Sequence, residues 1–69
     1  MNPESVALEI EKVMTSFAKK HDELVNCVAR SDMTISGIVA AIENNMIHLD
    51  EINRMQIEKA LSDFGLRRW

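Results

Sequence analysis

The sequence has no tyrosine and only one cysteine, one proline, one tryptophan, two glycines and two phenylalanines in 69 residues. Each scarcity removes a class of structure. A lone Cys27 cannot close an internal disulfide, and no Cys-x-x-Cys or His-x-x-x-His spacing offers a zinc site, so neither staple common in small domains is available. Pro3, Gly37 and Gly65 leave residues 4–36 free of helix breakers. Charge of one sign is also lacking: eleven acidic against eight basic residues give a net charge of −3. That balance provides no footprint for gripping phosphates and argues against a nucleic-acid partner. The longest apolar run, residues 38–42, is far short of the ~20 residues that span a bilayer. Glu4 and Glu9 stand where a secretion signal needs basic charge and an apolar stretch. A protein with no membrane partner is expected, located in the cytoplasm of the cell or of an infected host.

What the chain does have is apolar periodicity. Val6, Ile10, Val13, Phe17, Leu24 and Cys27 recur in steps of three and four, with one full step of seven between Phe17 and Leu24, a heptad seam. A second row, Ala7, Met14, Ala18 and Val25, lies roughly 80–120° round the same helix. Two rows call for two neighbours. A chain of this size buries only about 60% of its unfolded surface, so self-association is the expected supplement to a small core.

Asn2 as N-cap, Pro3 at the first helical position and Glu4 near the positive end of the dipole mark a helix start. The pattern predicts a helix over about 3–29, a turn at 30–34 with Asp32 or Thr34 as cap, and a second helix over about 35–64. In the second helix Ile35, Ile38, Ile42, Met46 and Leu49 continue the seam in one phase as far as Phe64, which favours a single helix. A break near 44–50 with Asp50 as a fresh cap is the alternative. Gly65 and Leu66 suit a Schellman ending, with residues 65–69 as a short tail. The expected fold is thus all-α and single-domain: an antiparallel helical hairpin that dimerises into a four-helix-bundle-like assembly.

Few residues suggest chemistry. Asp32, Thr34, Ser36, Gly37, Val39 and Glu43 fall at the spacing of an EF-hand loop, but only Asp32 and Glu43 bring charge. Calcium is a weak candidate beside the simpler role of Asp32 as a cap. Cys27 and His21 point about 120° apart on a helix and form no dyad. No enzyme activity, metal or cofactor is expected. Lys20 and His21 interrupt the first seam halfway, and hairpin pairing sets them opposite Asn44 and Asn45. A polar layer of Lys20, His21 and Asn45 would fix register. Burial of a neutral His21 near Lys20 would depress its pKa, and acid would loosen the bundle.

Leu8, Ile52 and Met55 lie outside both stripes, and Arg67, Arg68 and Trp69 follow the last helix. Single exposed apolar side chains are ordinary. Tryptophan, arginine and methionine together are nonetheless the chemistry of protein interfaces. The expected function is an acidic helical protein-interaction module, an adaptor, inhibitor or chaperone-like regulator, acting as a homodimer on a further protein. The alternatives are a calcium-responsive switch at 32–43 and an RNA-binding helical dimer.

Overall fold

The side chain of Asn2 accepts a hydrogen bond from the Ser5 N–H at 2.8 Å, and Pro3 follows it where a missing N–H costs nothing. This start opens a computed structural model that describes residues 2–69. Its α-helices are α1 (Pro3–Val13), α2 (His21–Ala29), α3 (Ile35–Asn45) and α4 (Glu51–Phe64), with a 3-10 segment (Thr15–Lys20) between the first two. The regular elements among the described residues are all helical.

The helix expected over 3–29 is therefore divided. Met14, at φ −135° and ψ 88°, leaves helical geometry, the 3-10 segment tightens the chain, and Lys20 at φ −126° and ψ 36° turns it into α2. Neither proline nor glycine is involved. The reason lies in packing: a straight helix of that length would run about 40 Å, while the molecule measures 24 × 23 × 21 Å. Breaking the helix lets Val6, Ala7 and Ile10 of α1 and Leu24, Cys27 and Val28 of α2 join one buried core, with Phe17 of the 3-10 segment among them. Val13, expected in the seam, is instead 39% exposed because α1 ends there.

The second long helix is also two, broken where the alternative placed it. α3 stops at Asn45, Met46 adopts φ −123° and ψ −78°, and Asp50 caps α4 by accepting from the Asn53 N–H at 2.7 Å. Phase did not reveal this break because Leu49, in the linker, is itself buried and keeps the apolar pattern running between two helices that share a core. α1 packs against α2 and α4, and α3 packs against the same two, which closes a ring of four helices. Most of the two-row stripe thus finds neighbours within the chain: Ala7 of the second row is buried and Met14 and Val25 pack on the core, while Ala18 is exposed.

Two features join the ends of these helices. Gly65 takes the left-handed φ of 107°, and the N–H groups of Gly65 and Leu66 reach the carbonyls of Ser62 and Leu61, a Schellman ending with Leu66 buried. The chain then runs to the start of α3. There the carbonyls of Arg67 and Arg68 accept from the N–H groups of Ile35 (3.0 Å) and Ser36 (2.9 Å), and the Thr34 hydroxyl accepts from the Gly37 N–H (3.1 Å). Three N–H groups that a helix start leaves open are thereby satisfied.

Gly37 is needed at this junction. A Cβ there would lie 2.3 Å from the Ser31 carbonyl oxygen and 2.7 Å from the Thr34 hydroxyl. Alanine is favoured over glycine in helices by about 1 kcal/mol, yet overpacking against main chain costs about 1–3 kcal/mol. Gly37→Ala should accordingly destabilise the protein and lower Tm by several degrees in a calorimetric melt; a raised Tm would refute the tight junction.

Candidate docking face

α4 buries Ile57 and Leu61 and turns Ile52 and Met55 outward, 70% and 59% exposed. At 100° per residue these two lie roughly 140–160° from Ile57, opposite the core. Helical geometry fixes that exposure. Beside them, between α1 and α4, is an open hollow of about 440 Å³ whose apolar lining is Val13, Ala60 and Phe64. Val13 is free to line it because α1 stops at that residue. A second hollow of about 340 Å³ is formed by Ile52, Met55, Gln56 and Lys59. Gln56 and Lys59 border both hollows, so the two make one continuous face.

The rim is charged but balanced. Lys12 pairs with Glu9 at 2.9 Å and Lys59 with Asp63 at 3.2 Å, each pair within one helix. Such exposed pairs contribute at most about 1 kcal/mol each to stability. Their effect on the face is to leave it without net charge.

The residues expected to contact a partner do not form a single patch. Ile52 and Met55 share this face, whereas Leu8, 47% exposed, lines neither hollow. Arg67 and Arg68 are pinned through their carbonyls to α3, and the Arg68 guanidinium lies 5.5 Å from the centre of the exposed Trp69 ring, a cation–π arrangement. Val13, Gln56, Ala60 and Phe64 were not among the expected contact residues. Periodicity assigned Val13 and Phe64 to the core, and only the break at Met14 could have moved Val13 out of it.

The residues proposed as a polar layer also separate. Lys20 is exposed, and Asn45 uses its side-chain amide to donate to the Ala41 carbonyl of its own helix at 2.9 Å. His21 instead faces Glu11, with Nδ1 2.5 Å from a carboxylate oxygen, across the joint between α1 and α2. The Glu11 side chain is only 12% exposed and that of His21 32%. The hydrogen bond to Glu11 raises the His21 pKa above its ordinary 6.5, and the charges of Glu11, Glu4 and Asp22 act the same way against partial desolvation. The expected depression of this pKa is thus reversed, because a carboxylate rather than Lys20 faces the ring.

The twelve residues with EF-hand spacing do not form a loop. Asp32 sits in the turn at φ 59°, but α3 begins at Ile35, so Ser36, Gly37 and Glu43 are helical, and the Glu43 carboxylate lies 3.9 Å from His48. Cys27, at 1% exposure, has its Sγ 3.8 Å from the Ala41 carbonyl and floors a small cleft of about 210 Å³ between α2 and α3. No family model, curated protein or solved structure matches the chain.

The Glu11–His21 bond has a definite pH signature. With a folded pKa above the unfolded value, its contribution is fully present below about pH 6.5 and is lost as pH rises through the folded pKa. Above about pH 6.5 the denaturation midpoint should therefore fall as pH rises through the folded pKa, and Glu11→Gln should flatten that slope. An NMR titration placing the His21 pKa at or below 6.5 would contradict the pairing.

Proposed function

We propose that the chain is a small non-catalytic protein-interaction module, an adaptor, inhibitor or chaperone-like regulator, that binds other proteins through the α1–α4 face. The observation that carries this is the exposure of Ile52 and Met55 beside an apolar hollow floored by Val13, Ala60 and Phe64. Ile52 and Met55 are the two of the exposed large apolar side chains that stand together on one helix, and replacing them with polar ones would cost the core nothing. A partner that covers them would account for their presence. Methionine suits such a face because its unbranched thioether adapts to irregular surfaces. The balanced rim of two ion pairs surrounds an apolar centre, which is the usual anatomy of a protein contact patch.

Ile52→Glu and Met55→Glu should leave helicity and melting behaviour close to wild type, since both side chains point away from the core. Each should weaken the retention of proteins from the native host on the immobilised chain by about tenfold or more. Leu8→Glu, an equal change outside the face, should leave retention unchanged. Full retention by both α4 variants would overturn the assignment of this face.

A further inference from the structure

We propose that the α4 face pairs with a second copy of this chain, antiparallel, about a two-fold axis at Gln56. This rests on the α1–α4 face being a docking surface and names its first occupant. Ile52, Gln56, Ala60 and Phe64 are spaced four residues apart and form one ridge along α4. The ridge is uneven. One turn before Gln56 it carries the protruding Ile52, and one turn after it carries Ala60, the small side chain beside Val13 in the larger hollow. A two-fold axis through Gln56 places each copy's Ile52 over the other's Ala60. Knob and hollow then coincide twice, as a self-complementary contact requires.

Charge favours the same occupant. Glu9, Lys12, Lys59 and Asp63 cancel on this face, so the net −3 of the chain resides on the remaining surface. Two copies can approach here without opposing like net charge, whereas a strongly basic or acidic partner would gain nothing from this rim. A stable interface takes about 800 Å² from each partner, about a fifth of the 4276 Å² accessible on this chain, so the pairing extends from the α4 ridge onto the charged rim that flanks it.

Sedimentation equilibrium from micromolar to millimolar concentration should show the mass rising from one chain to two. Ile52→Glu and Ala60→Lys should each raise the midpoint at least tenfold, with helicity by circular dichroism unchanged. Mixing these two variants should restore association, because the mixed pair holds one Glu–Lys contact and one native Ile–Ala contact. Gln56→Cys should cross-link to itself under mild oxidation, and Leu8→Cys should not.

A mass of one chain throughout, with Ile52→Glu still abolishing retention of other proteins, would overturn the self-pairing and leave the docking face standing. Doubling of the mass with cross-links at Leu8→Cys but not Gln56→Cys, or no restoration on mixing, would overturn the Gln56 register. Loss of neither association nor retention in Ile52→Glu would remove both.

Discussion

Helix length in this protein is set by the width of the core it must cover. A helix extending beyond that core would expose its apolar stripe to water, and the stripe on residues 6–28 is two rows wide. The chain therefore folds into helices of 9 to 14 residues, none longer than about 21 Å at 1.5 Å per residue, within a body 24 × 23 × 21 Å across. Helices this short are marginal by themselves in water. Each depends on the apolar faces of its two neighbours, so secondary structure and core stand or fall together.

This dependence explains which parts of the fold are legible in the sequence. Local chemistry at helix ends is: Asn2, Thr34, Asp50 and the Gly65–Leu66 pair all form the caps their residue types imply. The break at Met14 is not, because nothing local demands it. It is imposed by Phe17, Leu24 and Val28 needing the same interior as Val6 and Ile10. A trace was present in Lys20 and His21, which interrupt the apolar pattern halfway. That interruption marks the joint where the chain folds back, rather than a polar layer facing a second helix, and Glu11 across the joint is the carboxylate that receives His21. Of the candidate site, the outward position of Ile52 and Met55 follows from the helical repeat alone. The hollow beside them does not, since it depends on α1 ending at Val13.

The same break thus has effects at opposite flanks of α1. On one flank it brings Glu11 against His21 and makes the α1–α2 joint sensitive to protonation. On the other, α1 ends at Val13, which lines the hollow together with Ala60 and Phe64. The apolar surface available for contact is a by-product of how the core was closed.

The bonds from Arg67 and Arg68 to the start of α3 are made by main-chain carbonyls alone. Side-chain substitution at 67 or 68 leaves those acceptors in place, so alanine scanning would pass over this strap without detecting it. Its position is governed by residue count from the Leu66 anchor: inserting or deleting one residue between 66 and 67 would shift both carbonyls out of register with Ile35 and Ser36. The arginine and tryptophan side chains can accordingly diverge in identity while the path of the backbone beneath them stays fixed.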